Sequence, residues 1–298
     1  MKKIKAVWEI MRLEHGVMIA IAILIGSLIA LKGQGFPEID KFLLTFFTAL
    51  FLEASTFALN DYYDLEIDKK NKREDRPLVR GDISPKSALY LFYIFFPLGI
   101  ICSFFVNFAC FIIALITALI AILYDVKIKK IKLIGNFYIA YVMAIPFVFG
   151  GAAVLSQNTL FFKIDPSIFV IAFIAFLAGS GREIMKDVMD FEGDKEKGVK
   201  SFPRYIGKRK SNILAAIFYL IAITFSFFPF FMQRFEIYYL NYYYLGSVFI
   251  TDTMLLSTSI HLIFKKKPHL KIYRKFTLIA IFFGLIAFLL PVIILIFH

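Results

Sequence analysis

Apolar residues in this chain come in long uninterrupted blocks, not as strict alternation or as one-sided helical stripes. The blocks run over residues 15–31, 42–61, 86–106, 108–124, 134–155, 167–190, 212–232, 241–263 and 272–297. Each nears or reaches the roughly 20 residues that a helix needs to cross the hydrocarbon layer. Because such a layer leaves no water for backbone groups, the blocks predict helices throughout. The expected fold is an all-α membrane protein of about nine transmembrane helices. The least certain boundary is Asn107, which alone separates the third block from the fourth. No small-residue cleavage site follows the first block, so it is read as a retained first span and not a signal peptide.

Composition agrees with the pattern. Of 298 residues, 60% are hydrophobic and 37 are Phe, more than a water-wetted surface tolerates. Cys102 and Cys110 lie in apolar blocks without metal-ligand company and read as small buried hydrophobes.

Charge then sets an orientation. Of the 34 Lys and Arg residues, 28 fall in the N-terminal segment and the loops after the second, fourth, sixth and eighth blocks. Only Lys32, Lys41, Lys163 and Arg234 fall on the other side. The asymmetry predicts that the basic loops and the N-terminus are cytoplasmic and the C-terminus outside. The net charge of +12 is thus a topology signal, and no soluble basic module is present to suggest nucleic-acid binding.

The chain also repeats. An offset of 126 carries Asp61, Asp64, Glu66, Asp68 and Lys69 onto Asp187, Asp190, Glu192, Asp194 and Lys195, and Pro77 and Gly81 onto Pro203 and Gly207. Motif copies at 60–81 and 186–207 both leave an even-numbered span on one side, which predicts two parallel pseudo-repeats around a central cavity, within a single domain over 1–298. In the first copy Asn60, Asp61, Asp64 and Asp68 share a helical arc of about 100°; in the second Glu183, Asp187, Asp190 and Asp194 share about 60°. Like charges stacked at a membrane boundary need neutralising. Mg2+ suits them, being oxygen-ligated and commonly shared with phosphates. The alternative is that the acids pair with Lys and Arg of their own loops. Arg73 and Arg76 follow the first column, Lys200 and Ser201 the second; a guanidinium fork matches phosphate oxygens. Lys186, inside a span, needs a cavity or an anionic partner.

These motifs resemble the UbiA superfamily of intramembrane prenyltransferases. Asn60-Asp61-x-x-Asp64-x-x-x-Asp68 and Asp187-x-x-Asp190-x-x-x-Asp194 match its two acidic motifs, and Arg76-Pro77-Leu78, Tyr124 and Gly135-Asn136 match other family patterns. The resemblance covers essentially the whole chain. It implies metal binding by Asn60, Asp61, Asp64, Asp68, Asp187, Asp190 and Asp194, with Asp64, Asp68, Asp190 and Asp194 catalytic. It implies diphosphate binding by Arg73, Arg76, Tyr124 and Lys200 and by a lysine after Tyr124, for which Lys127, Lys129 and Lys130 compete. Ionisation of a prenyl diphosphate, assisted by Mg2+, would leave a carbocation-like prenyl group in an apolar chamber.

The second motif reads Gly181-Arg182-Glu183, then Lys186-Asp187, Glu192-Gly193-Asp194 and Ser201-Phe202-Pro203. That wording is most similar to the archaeal branch that makes the second ether bond of membrane lipids. The implied acceptor is the free hydroxyl of geranylgeranylglyceryl phosphate, and the donor geranylgeranyl diphosphate. Arg12, Arg182 and Lys186 are candidates for the acceptor's phosphate, and His15 for its hydroxyl. A quinone precursor or other aromatic acceptor is the alternative within the family. A secondary transporter is the alternative outside it, and predicts acids at mid-span instead of at span ends.

Overall fold

A computed structural model describes residues 2–12, 15–70, 73–128, 131–157, 163–196 and 198–297. Among these residues there is no strand. The helices are α1 (Lys2–Met11), α2 (Gly16–Ala30), α3 (Ile39–Lys70), α4 (Pro77–Arg80), α5 (Pro85–Val106), α6 (Phe108–Leu123), α7 (Lys132–Ala153), α8 (Pro166–Glu196), α9 (Phe202–Ser226), α10 (Phe228–Phe231), α11 (Tyr242–Phe264) and α12 (Leu270–Phe297). A π-helical turn, Tyr124–Ile128, continues α6.

Among the described residues, eight helical segments are long and apolar enough to cross a membrane. A ninth span exists only if α1 and α2, which meet at 47°, act as one bent unit. The first apolar block is therefore shorter in the structure than a full crossing, because α2 has 15 residues. The two acidic motifs end the two longest helices: α3 has 32 residues and α8 has 31. Helix geometry thus persists through both motifs, with Lys69 and Lys70, and Lys195, in the final turns, where cations oppose the negative helix end.

Local sequence explains the breaks. Asn107 is buried, and its carboxamide does two tasks: Oδ1 accepts from Cys110 N at 2.8 Å to cap α6, while Nδ2 donates to Ala152 O at 2.8 Å. Ser84 caps α5 ahead of Pro85 by accepting from Ser87 N at 3.1 Å. Asn241 caps α11 by accepting from Tyr244 N at 3.1 Å.

Between α2 and α7 the backbones nearly touch. A Cβ on Gly26 would lie 2.0 Å from Phe147 O, and one on Gly150 would lie 2.0 Å from Ile23 O. Ser27 Oγ also donates to Gly150 O at 2.9 Å. In lipid, helices gain little from burying apolar surface against each other, so small residues that admit close packing hold them together. This crossing belongs to the larger core, built mainly from α2, α6, α7, α8, α11 and α12. A second cluster packs α1, α3, α4 and α5, and a third packs α8, α9, α11 and α12.

Replacing Gly150 with Val is expected to cost at least about 1–3 kcal/mol through overpacking, whereas Gly246→Ala, with nothing within 4 Å of the added Cβ, should be neutral. Thermal unfolding of the purified protein in one detergent measures both. Equal midpoints for the two variants would remove the close crossing as a determinant of stability.

Candidate active site

On α3, Asp61 is 2% exposed and accepts from two guanidinium groups through one oxygen. Arg12 Nη2 lies 3.1 Å from Asp61 Oδ1, and Arg76 Nη1 lies 3.0 Å from the same atom. Arg12 reaches it from the end of α1 with its guanidinium stacked 3.9 Å over the Phe57 ring. Asp61 Oδ2 is buried with no hydrogen-bond partner, and so is Arg76 Nε, which lies 3.9 Å from Asp68 Oδ2. Asn60 turns to the π-helical turn, donating through Nδ2 to Asp125 Oδ1 at 2.8 Å. Asp64 is half-buried along the same column.

The second column is held differently. Lys132 Nζ donates to Asp194 Oδ2 at 2.6 Å and lies 3.5 Å from Asp187 Oδ1. One helical turn on, Asn136 Nδ2 donates to Asp187 Oδ2 at 2.7 Å. Both come from the start of α7, where residues four apart share a face. Glu183, higher on α8, accepts from Arg182 Nη1 at 3.1 Å and from Lys186 Nζ at 2.6 Å. Asp190 is exposed.

Tyr124, in the π-helical turn, lies within electrostatic reach of Asp64 in the first column and of Glu183 and Asp187 in the second. Its ring stacks on Tyr138 at 4.4 Å, and Gly135 leaves room for it, since a Cβ there would meet the ring at 3.0 Å. The π-helical turn and the start of α7 therefore tie both columns to one segment.

Other expected site residues are placed as follows. Arg73 is turned to its neighbour: Nε and Nη2 reach Asp75 at 2.8 and 2.7 Å, and the fork pulls that carboxyl down to about 2. Lys127 and Lys200 are exposed, and Lys129 and Lys130 lie outside the described residues. His15 Nδ1 is 3.3 Å from Glu53 Oε1, and its ring meets Phe57 edge-on. Arg12 and His15 thus flank the first column, whereas Arg182 and Lys186 flank the second.

Sequence reasoning did not select Lys132, Asp125 or Glu53. Lys132 counted only as one more basic loop residue, although Lys132-x-x-x-Asn136 places both on one helical face. Glu53 carried its own signal as an acid inside an apolar span. Asp125 offered none beyond adjacency to Tyr124.

The carboxylate oxygens suit a hard divalent cation, and the orphaned Asp61 Oδ2 is a buried donor atom for one. Among the described residues no three His, Cys, Asp or Glu side chains converge to hold a metal ion. Mg2+ needs no such cage, since it usually takes one or two carboxylates and completes its shell with phosphate oxygens and water. The residues fit that mode.

The UbiA prenyltransferase family profile matches residues 19–269. The chain belongs to this family. It is 40% identical over 286 residues to the digeranylgeranylglyceryl phosphate synthase of Archaeoglobus fulgidus, covering 96% of this chain and 94% of that one. The Methanosarcina mazei protein of the same name is 34% identical, covering 96% and 98%. Among solved structures, one described as "Structural and mechanistic insights into the biosynthesis of Digeranylgeranylglyceryl phosphate synthase in membranes" aligns with a TM-score of 0.80 at 33% identity, covering 98% of this chain and 99% of that one. A UbiA homolog from Archaeoglobus fulgidus bound to DMAPP and Mg2+ shares the fold, with a TM-score of 0.61 at 18% identity, covering 95% and 98%.

In this UbiA family member, Lys132→Ala is expected to lower prenyl-transfer kcat/KM about 100-fold, the scale of losing one charge-stabilising donor. Lys127→Ala should stay within about threefold, as exposed charges contribute little. Steady-state assays of both in the same membranes give the comparison, and similar losses would remove Lys132's special place. Arg76→Lys should fail nearly as badly as Arg76→Ala, because an ammonium cannot keep the fork between Asp61 and Asp68.

Proposed function

We propose that this protein transfers a geranylgeranyl group from geranylgeranyl diphosphate to the free hydroxyl of geranylgeranylglyceryl phosphate, forming the second ether bond of archaeal membrane lipids. One observation carries the reading: nearly the full length aligns at 40% identity with a digeranylgeranylglyceryl phosphate synthase. The two acid columns, both within electrostatic reach of Tyr124, supply its chemistry.

The diphosphate binds between the columns. Asp61, Asp64 and Asp68, with Asn60, and Asp187, Asp190 and Asp194 would hold Mg2+, which when bound would take up negative charge on the leaving diphosphate. Arg76, Tyr124 and Lys132 contact that group directly, and Lys200 and the lysines after Tyr124 add charge at its rim. As the allylic C–O bond breaks, positive charge spreads over the prenyl group, and the surrounding helices keep water from quenching it. Arg12, Arg182 and Lys186 receive the acceptor's phosphate. His15, held by Glu53, faces the acceptor hydroxyl and takes its proton. Both motifs lie at the cytoplasmic surface, where the basic loops cluster, with the N-terminus inside and the C-terminus outside.

The two halves are parallel copies of one unit within a single domain. Their backbone supports this: α4 and α9 each have a proline in the first turn, at Pro77 and Pro203. The matched Gly81 and Gly207 both adopt positive φ, 77° and 80°.

Membranes containing the protein are expected to join labelled geranylgeranyl diphosphate to geranylgeranylglyceryl phosphate when Mg2+ is present, and to stop with a chelator. Asp64→Ala and Asp190→Ala should each lose about 100-fold or more in rate. Product with an aromatic acceptor and none with the glyceryl lipid would overturn the acceptor assignment. Undiminished turnover by the double variant would overturn the metal mechanism.

A further inference from the structure

Beyond the acid columns, α8 also borders a cavity of about 540 Å³. Val188 and Met189 form its α8 wall, some 100° and 200° around the helix from Asp187, so it lies on the far side from the column. The opposite wall is the loop from α11 to α12 and the first turn of α12, with Lys266 and Lys267 in the loop and Lys271 in the helix. Among the described residues no carboxylate lies within 4.0 Å of these three ammonium groups. Lys208, also in the lining, is paired with Glu192. Asn212, one-twentieth exposed, completes the lining, and its Oδ1 is buried with no hydrogen-bond partner.

A basic loop alone would satisfy a topology rule. It would not require a cavity of this size between that loop and α8. That combination asks for a ligand with anionic oxygens for the lysines. Exposed apolar side chains stand on both helices that the loop joins: Ile272, in the lining on α12, is 63% exposed and Phe264, at the end of α11, is 75% exposed. The ligand's other end is therefore hydrocarbon.

We infer that this cavity is a second lipid site, which takes a phosphate-bearing headgroup at the membrane boundary with its chains against α11 and α12. It is separate from both columns, so lipid held there need not leave for a substrate to react. Its electrostatic part weakens with salt, since the lysines face water.

A photoreactive dialkylglyceryl phosphate, incubated with the full-length protein in detergent and mapped by peptide mass spectrometry, tests the site. Labelling is expected over 262–275. It should drop about tenfold or more in the triple variant Lys266→Ala/Lys267→Ala/Lys271→Ala, and comparably in Asn212→Asp, which keeps the side-chain shape but adds negative charge. Unfolding midpoints of both variants, compared with the parent, confirm that folded protein is being labelled. Unchanged labelling in the folded variants would overturn the site. Equal labelling by the matching neutral dialkylglycerol would overturn phosphate recognition. Displacement by inorganic phosphate at equal concentration would make it a free-phosphate site and overturn the lipid assignment.

Discussion

Everything near the motif end of this bundle depends on neutralising carboxylates packed along two helix ends. Asp61 shows the constraint most sharply. It is buried, shares one oxygen between Arg12 and Arg76, and leaves the other without a partner. A buried carboxylate with no counter-charge is costly enough to disrupt a fold, so cations must be brought to it. Three separated pieces of chain converge for that reason: the end of α1, the column on α3 and the loop that enters α4. Around Asp187 the same requirement recruits Lys132 and Asn136 from α7.

The cations that stabilise the protein are also those a diphosphate would seek. Arg76 and Lys132 are committed to carboxylates now, yet Arg76 keeps an unpartnered Nε and Lys132 is still 29% exposed. An entering metal–diphosphate offers the carboxylates a divalent cation and the basic groups an anion. Each ion pair broken is replaced by one of higher charge, so desolvation already incurred in folding need not be incurred again on binding. Preorganised charge of this kind is the largest common source of rate enhancement.

The sequence made the spans, the two columns and their arcs legible because apolar block length and helical periodicity are local properties. Helix persistence through both motifs followed from the same periodicity. Contacts made across large separations were less accessible. Arg12 reads from sequence as a residue for the lipid acceptor, and nothing local to it announces its bond to Asp61, 49 positions away. Lys132 was concealed by an opposite effect: charge asymmetry explained every loop lysine equally well and so distinguished none. Arg73 looked equivalent to Arg76 until its short bonds to Asp75 separated them. Tyr124 was visible only as a family position, and its placement depends on the π-helical turn and on the space beside Gly135.

That turn bears on how the two halves cooperate. If the columns were independent, each could bind its own ion without reference to the other. Instead Asn60 of the first column bonds to Asp125, and Lys132 and Asn136 hold the second from a helix that begins four residues after the turn ends. Tyr124 stacks on Tyr138 at 4.4 Å, which packs the turn against α7. The physical unit of the site is therefore neither motif alone but the pair, braced by the π-helical turn and the start of α7. A prenyl diphosphate bridging both motifs would be held by that brace at a fixed depth, where the helices that follow keep its chain dry.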